Sequence, residues 1–172
     1  MLFPLYLELE DRPCLVVGDG PVARRKAAAL ASCGAQVSVV APEASGRTFA
    51  EDDVAGMTLV VAATNDPVVN GRVSEACRAR GIPVNVVDDP AHCTFHFPAV
   101  CRKGPLTVAV SSGGVCPVAA QIVRDKVGAT IPESFVVAVE RLGREREALK
   151  AAYPDSKERR KVYEERLEAW NA

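Results

Sequence analysis

Residues 14–34 read CLVVGDGPVARRKAAALASCG, and this stretch decides the fold class. It opens on a short apolar run that ends in glycine, a pattern typical of a buried parallel strand. The alanine-rich part that follows has a proline in its first turn and stops at Gly34, which predicts a helix. A strand, a glycine turn and a helix in this order predict the start of a βαβ unit.

The glycine turn, GDGPVA, matches the GxGxxG/A pattern of dinucleotide-binding loops. In that pattern Gly18 permits the tight turn, Gly20 lets a pyrophosphate approach the backbone, and Ala23 keeps helix and strand close. Pro21 and Val22 lie at the helix N-terminus, where unpaired N–H groups and a partial positive charge favour phosphate. The loop therefore predicts a dinucleotide site. The alternative is a glycine turn in a plain α/β domain.

Apolar runs and helical patterns keep alternating as far as Pro90. Strand-like runs occur in QVSVVAP, TLVVAATND and IPVNVVDDP, and DPVVNGRVSEACRARG has the pattern of a second helix. Strands that alternate with helices predict right-handed βαβ units and a parallel sheet. We therefore predict an α/β protein with a Rossmann-like parallel sheet in residues 1–97.

The end of the second predicted strand bears on which dinucleotide binds. An acid at that place usually holds the ribose hydroxyls of NAD, and here Pro42 and Glu43 follow the strand. No cluster of arginines comes directly afterwards to bind a 2′-phosphate, although Arg47 lies nearby. The sequence therefore favours NAD over NADP, with residues 1–97 as an NAD-binding domain.

The pattern changes in the second half of the chain. The stretch CRKGPLTVAVSSGG predicts a pair of strands that break at Gly104–Pro105, and a helix opens at Pro117. The rest is charged and helix-prone, with a break at Tyr153–Pro154. We expect a small segment over residues 98–130 and a C-terminal helical domain over residues 131–172.

Composition excludes several classes of protein. The net charge of −1 argues against general nucleic-acid binding, and no apolar run approaches the roughly 20 residues of a membrane span. The six cysteines have irregular spacing without a CxxC motif, so we expect reduced thiols. The N-terminal residues do not read as a signal peptide, and we expect a cytoplasmic protein.

Two carboxylates, two histidines and a cysteine lie within NVVDDPAHCTFHFP, residues 85–98. Asp88 comes at the carboxyl end of a predicted parallel strand, where ligands bind; the alternative is a turn acid. In extended geometry Asp89 points to the opposite side, so we expect it to be a turn residue. His92 and His96 are in a loop that passes into the β-prone FHFPAV, where residues four apart are about 13 Å apart. We therefore predict no metal site.

Five motifs occur together between about Phe3 and Lys126: FPLYLELEDRPCLVVGDGPVARRKAAAL, VVAATND, NVVDDP, FHFPA and PLTVAVSSGGVCPVAA. Together they resemble the precorrin-2 dehydrogenase family, which includes the N-terminal module of siroheme synthase. The resemblance implies NAD-dependent oxidation of precorrin-2 to sirohydrochlorin in siroheme biosynthesis, and in some members insertion of ferrous iron. It also implies a homodimer, with residues 98–130 as the dimerisation segment.

The resemblance also implies roles for single residues. Asp88, the aspartate of NVVD, matches the family residue that is tied to catalysis, and Ser112 matches a position in the substrate cleft. Because the substrate carries many carboxylates, we expect cations and small residues with free N–H groups around it. The expected cofactor contacts are Gly18, Gly20, Pro21, Val22, Ala23, Pro42, Glu43, Ala63 and Thr64. The expected substrate contacts are Ser111, Ser112, Gly113, His96, Arg24 and Arg124.

One departure from the family pattern lies between the VVAPE and VVAAT segments. Relatives usually have an additional helix and strand there, whereas this chain has the short stretch ASGRTFAEDDVAGMT. We expect one crossover of the sheet to be shortened or lost. The change bears on the adenine side of the cofactor pocket and leaves the glycine loop and Asp88 in place.

Two other functions fit parts of the sequence. A regulatory nucleotide-binding module, like the ligand-sensing domains of potassium channels, shares the glycine loop. It needs an acid at the tip of the second strand, however, and gives no reason for SSGGVCP. A non-catalytic tetrapyrrole-binding protein, which has lost turnover along with its crossover, is the other alternative.

Overall fold

The structure is a computed structural model that describes residues 2–168. The chain folds as two compact units that divide between Phe97 and Pro98. The boundary of the first unit coincides with the end of the predicted nucleotide-binding domain. Within the described residues, no helix combines the length and the apolar character needed to cross a membrane.

The first unit is an α/β layer built around one parallel sheet. The order of its strands is β2-β1-β3-β4, which agrees with the predicted Rossmann-like fold. The elements are β1 (Pro13–Val17), α1 (Pro21–Ala31), β2 (Gln36–Val40), α2 (Pro42–Ser45), β3 (Leu59–Ala62), α3 (Pro67–Ala79) and β4 (Val84–Val86). Short 3-10 turns span Glu51–Val54 and Pro90–His92.

The connection between β2 and β3 is the expected short crossover. It contains the four-residue helix α2 and the 3-10 turn Glu51–Val54 in place of a full helix and strand. Compared with the doubly wound strand order 3-2-1-4-5-6, this sheet lacks the strand at position 3, which would lie next to β2. As a result β2 lies at one edge of the sheet, and Gln36 and Ser38 on it are exposed.

The sheet is buried on both faces at its centre, because alternate residues of each strand point to opposite sides. This explains why its strands appear in the sequence as continuous apolar runs. One core lies under α3 and includes Leu15, Val17, Val60, Val73, Cys77 and Val84. The other core lies under α1 and includes Cys14, Val16, Leu30 and Val61.

The opposite edge of the sheet, β4, is covered by the chain that follows it. Thr94 accepts a hydrogen bond from the Val84 N–H through Oγ1 (2.8 Å) and donates its own N–H to the Val84 carbonyl (2.8 Å). Two residues further along β4, the Val86 N–H donates to the Cys93 sulfur (3.2 Å). Side chains thus satisfy part of this edge. The stretch FHFPAV is a strand only from Ala99, later than its β-propensity suggests.

The second unit begins with the predicted strand pair. An antiparallel hairpin of β5 (Ala99–Lys103) and β6 (Leu106–Val110) turns at Gly104–Pro105, as expected. The helices that follow are α4 (Pro117–Ala129), α5 (Glu133–Arg144), α6 (Arg146–Ala152) and α7 (Ser156–Glu168).

The break at Tyr153–Pro154 separates α6 from α7 as predicted. A further break at Glu145, which no proline marks, separates α5 from α6. Lys103 donates to the carbonyl of Ile131 (2.7 Å). The boundary between residues 98–130 and 131–172 stays a prediction.

Candidate functional site

The first glycine of the loop is required by the fold. Gly18 has φ +115°, a conformation that side chains disfavour, and a Cβ there would overlap the carbonyl oxygen of Ala63. Its N–H donates to the carbonyl of Val40 at the end of β2 (2.9 Å). Gly18 therefore joins the ends of β1, β2 and β3 at the carboxyl edge of the sheet.

The second glycine is not required by the fold. Gly20 has φ −63° and ψ 172°, which any residue adopts. A Cβ there would meet no heavy atom of the described residues within 4 Å, its chain neighbours aside. A glycine that neither the backbone nor the packing demands fits a loop to which a phosphate must come close. On this observation the residues of the loop fit a dinucleotide.

A cleft of about 270 Å³ lies on one side of the loop. Gly18, Ala23 and Glu43 line it, so the acid after β2 faces the space beside the glycine turn. Pro42 begins α2 and lies outside the lining. Arg24, expected to contact the substrate, instead lines this cleft, because it follows the loop by one residue on α1.

A second cleft of about 400 Å³ lies on the other side of the loop. The carboxyl ends of β3 and β4 form its floor, as expected for ligands of a parallel sheet. It brings together six of the residues proposed from the sequence with several others. The proposed residues are Gly20, Pro21, Val22, Ala63, Thr64 and Asp88, and the others include Asn65, Asn70 and Asp89.

Asp88 is exposed in this second cleft and has φ +59°. The expectation that Asp89 points away was wrong, because it assumed an extended backbone at this place. With Asp88 in the left-handed region the chain turns, and both aspartates line the cleft. Asp89 is also in a turn, where its carboxylate pairs with Nδ1 of His92 (2.7 Å).

Arg47, the cation nearest in sequence to Glu43, is bound by Asp53. Its Nη1 and Nη2 donate to the two carboxylate oxygens of Asp53 at 2.8 and 2.7 Å. The Asp53 carboxylate also accepts the N–H of Ala50 (2.8 Å). The hydrogen bond from Arg47 lowers the pKa of Asp53 below its ordinary value. The guanidinium thus already has a carboxylate partner, which a 2′-phosphate would have to displace.

Sequence reasoning missed Asn70, which is 8% exposed and lines the second cleft. Its Oδ1 accepts from the Thr64 hydroxyl (2.7 Å) and the Thr64 N–H (3.2 Å), and its Nδ2 donates to the Thr64 carbonyl (3.1 Å). The side chain therefore fixes the turn after β3 that lies against Gly18. The available signal was a polar residue on the inner face of an otherwise apolar helical turn.

Sequence reasoning gave Cys93 no role beyond that of a reduced thiol. Its sulfur lies 3.2 Å from both the N–H and the carbonyl of Val86 and 3.3 Å from the carbonyl of Asp89. Burial raises the pKa of the Cys93 thiol above its ordinary value. The thiol thus lies directly under the turn that carries Asp88.

The two histidines lie apart from the lining of both clefts. His92 is exposed and pairs with Asp89, and His96 is half-buried. Residues 2–168 contain no group of three or more histidine, cysteine, aspartate or glutamate side chains that could hold a metal ion.

The remaining substrate candidates lie in the second unit. The Ser111 hydroxyl accepts from the Gly113 N–H (3.1 Å), and the Ser112 hydroxyl accepts from the Cys116 N–H (3.0 Å). Both interactions shape the loop that leads into α4. Arg124 pairs with its neighbour Asp125 at 2.7 Å. Their contact with a substrate stays a prediction.

The geometry of the first unit agrees with a comparison against known families. Residues 5–99 match the family described as "Putative NAD(P)-binding". The chain belongs to this NAD(P)-binding family. The matched residues include the glycine loop, the residues that line both clefts, and Asp88.

Curated relatives of this family member are siroheme synthases. The protein of Pseudomonas entomophila (strain L48) is 44% identical over 176 residues, and that of Ectopseudomonas mendocina (strain ymp) is 43% identical over 175 residues. The siroheme synthase of Methylobacillus flagellatus is 41% identical over 177 residues. Each alignment covers 94% of this chain and 38% of the relative, so the chain spans well under half the length of these proteins.

A solved structure has the same fold. SirC, a precorrin-2 dehydrogenase, superposes with a TM-score of 0.74 at 24% sequence identity, over 95% of this chain and 88% of its own. The NAD(P)-binding family member described here therefore shares its architecture with SirC along nearly its whole length.

Proposed function

We propose that the chain oxidises precorrin-2 to sirohydrochlorin with NAD, on the route to siroheme. The observation that carries this proposal is that Asp88 and the glycine loop line one cleft. A carboxylate and a nicotinamide site in the same cleft can divide the removal of two hydrogens between them. The names of the relatives and of SirC support the choice of substrate.

The reaction takes two hydrogens from the substrate. One leaves with its electron pair, and bound NAD supplies the hydride acceptor. The other leaves as a proton, which the Asp88 carboxylate can accept directly or pass to water, since it is exposed in the cleft. Asp88 can also orient the substrate by accepting a hydrogen bond from a pyrrole N–H.

The choice of NAD over NADP is part of the same proposal. Glu43 lines the cleft beside Gly18, where a carboxylate can accept hydrogen bonds from ribose hydroxyls and repels a 2′-phosphate. Arg47 is bound by Asp53 through two hydrogen bonds. With Arg24 in this cleft as well, we assign that side chain to the cofactor rather than to the substrate.

The substrate's carboxylates need partners beyond the second cleft, whose lining includes Asp88 and Asp89. Ser111, Ser112 and Gly113, with Arg124, are proposed for this role. The support is chemical: the loop offers small residues, and Arg124 offers a guanidinium. His96 is retained as a substrate candidate on its sequence motif alone.

A homodimer is proposed from the surface of the second unit. The 13-residue helix α4 has only Ala120 and Gly128 buried, whereas Val118 and Ile122 are 61% and 50% exposed. An apolar face of this kind marks an interface. Sedimentation at micromolar concentration should show a dimer that Ile122→Glu dissociates and Val137→Glu on α5 does not. A monomeric wild-type protein would refute the homodimer.

The experiment on the active site uses Asp88→Asn. Asparagine also adopts the left-handed backbone, so the turn is retained while the base is lost. We expect sirohydrochlorin formation to fall about 100-fold or more, with NAD affinity unchanged by titration calorimetry. Asp89→Asn is the matched control and should keep most of the turnover. Retained turnover in Asp88→Asn would refute the catalytic assignment.

The wild-type protein separates the alternatives in the same assay. NAD binding without sirohydrochlorin formation would favour a regulatory module, and tetrapyrrole binding without turnover would favour a carrier. Adding ferrous iron and following siroheme absorbance tests chelation. The cytoplasmic location expected from the sequence belongs to the proposed function as well.

A further inference from the structure

We propose that Cys93 is a positioning residue for Asp88: its thiol holds the turn after β4 in the conformation that presents the carboxylate to the cleft. The inference rests on the proposed role of Asp88. It assigns to a half-buried cysteine, which is not part of the lining of either cleft, a contribution to the turnover number.

The first observation is the place of the thiol in the fold. The outer edge of β4 has no neighbouring strand among the described residues, so its backbone groups need other partners. Cys93 supplies them at Val86, where its sulfur accepts from the N–H and can donate to the carbonyl, each at 3.2 Å. The Asn85 side chain also donates to the sulfur (3.4 Å). The thiol therefore fixes the last residue of the strand.

The second observation is the strain in the turn. Asp88 has φ +59°, and a residue other than glycine stays in this region only when its surroundings hold it there. Cys93 contacts both sides of Asp88, since its sulfur reaches the Asp89 carbonyl (3.3 Å) as well as Val86. One sulfur atom thus links the residue two before Asp88 to the residue one after it.

The third observation is that the thiol is a suitable donor. Because burial raises the pKa of Cys93, the group keeps its proton at neutral pH and can donate to a carbonyl. A serine at this place offers the same donor and acceptor from a shorter side chain. Alanine offers neither, which makes the pair of substitutions informative.

The next part of the loop is held independently. The Ser74 hydroxyl donates to the carbonyl of His92 (2.8 Å), and Arg78 donates to the carbonyl of Ala91 (2.9 Å). These bonds from α3 hold the 3-10 turn in place when Cys93 is changed. Loss of the thiol should therefore free residues 86–89 and leave the fold intact.

The test compares Cys93→Ala, Cys93→Ser and Cys14→Ala. In Cys93→Ala we expect kcat for precorrin-2 to fall about tenfold, with the Kd for NAD within twofold of wild type. Cys93→Ser should recover at least half of the lost kcat. Cys14→Ala removes a buried thiol from β1, so it should lower the unfolding midpoint without changing kcat. An unchanged kcat in Cys93→Ala would overturn the proposal.

A double variant shows whether Cys93 acts through Asp88. If it does, adding Cys93→Ala to Asp88→Asn should leave the residual rate within twofold, because the group being positioned is already gone. A further tenfold fall would instead assign Cys93 to the general integrity of the cleft and overturn the positioning role.

Amide hydrogen exchange tests the role of Cys93 independently of the proposed function. In Cys93→Ala the Val86 amide should exchange at least tenfold faster, while the Val87 amide, which donates to Ala62 (2.9 Å), should keep its rate. This result would stand even if the wild-type protein did not oxidise precorrin-2, an outcome that would remove the proposed function. Equal exchange rates at Val86 in both proteins would show that the thiol does not restrain the Val86 backbone, and would overturn the proposal.

Discussion

The two edge strands of the parallel sheet, β2 and β4, differ in how well they are covered and hydrogen-bonded. At the β2 edge the crossover is reduced to α2 and a 3-10 turn, and alternate residues of the strand are exposed. At the β4 edge every strand residue is buried, and Cys93 and Thr94 bond to the strand's free backbone groups. The cleft with Glu43 lies beside the first edge, and the cleft with Asp88 lies beside the second.

The difference fits the roles proposed for the two sides, cofactor binding beside β2 and catalysis beside β4. Holding a ribose and a base requires a pocket and a few hydrogen bonds, which a short helix after β2 can supply. Placing a carboxylate against a reacting carbon requires a fixed backbone, because small displacements reduce the rate strongly. The sheet can therefore lose a crossover at the β2 edge and still keep the bonds from Cys93 and Thr94 at the β4 edge.

The largest effect on folding is expected at Gly18, which joins the β2 edge to the rest of the sheet. Gly18→Ala combines a disfavoured φ with an overlap against Ala63. It should lower the free energy of unfolding by about 3 kcal/mol or more. Urea unfolding followed by circular dichroism measures this.

Gly20→Ala is the matched change two residues along. With ordinary dihedral angles and open space at its Cβ, it should alter stability by less than about 0.5 kcal/mol. NAD affinity should nevertheless fall about tenfold, since the methyl group projects where the phosphates approach. Equal losses of stability in the two variants would mean that both glycines serve the fold.

A smaller effect is expected from one substitution at each edge. Thr94→Val removes the acceptor of the buried Val84 N–H and should cost about 1–3 kcal/mol. Ser38→Val on the exposed side of β2 should change stability by less than about 0.5 kcal/mol. Denaturant midpoints give both values. A comparable loss from Ser38→Val would contradict the contrast between the edges.

The last effect depends on pH and concerns Cys77, on the helix that packs against β3 and β4. Burial raises the pKa of this thiol from 9.0 to about 11. Between these values the unfolded chain releases a proton that the folded chain keeps, so the free energy of unfolding falls as the pH rises. The loss from pH 8 to about 10.5 should be about 2 kcal/mol.

The control for this titration is Cys77→Ala, measured under reducing conditions at the same two pH values. At pH 8 the variant should have a lower free energy of unfolding than wild type, because a buried side chain is shortened. Between pH 8 and pH 10.5, however, its free energy of unfolding should fall by about 2 kcal/mol less than that of wild type. Parallel losses in the two proteins would show that other groups cause the alkaline decline.

Much of this architecture can be predicted from local patterns. Apolar runs placed the strands, and prolines and glycines placed the helix ends, because these signals act over a few residues. The glycine loop and Asp88 could be named for the same reason. The roles of Asn70 and Cys93 could not be assigned, since they depend on backbone groups of Thr64 and Val86 that only the folded chain brings near. The prediction that Asp89 points away from the cleft was wrong because no local sequence pattern indicates the positive φ of Asp88.

The open space at Gly20 has a consequence for how this fold diverges. Selection for stability does not constrain that position, since a Cβ there would meet no heavy atom of the described residues within 4 Å, its chain neighbours aside. A descendant that stopped using its dinucleotide would accumulate alanine or serine at this site and still fold normally. The residue at position 20 is therefore a marker that separates working enzymes from silent copies of the same scaffold.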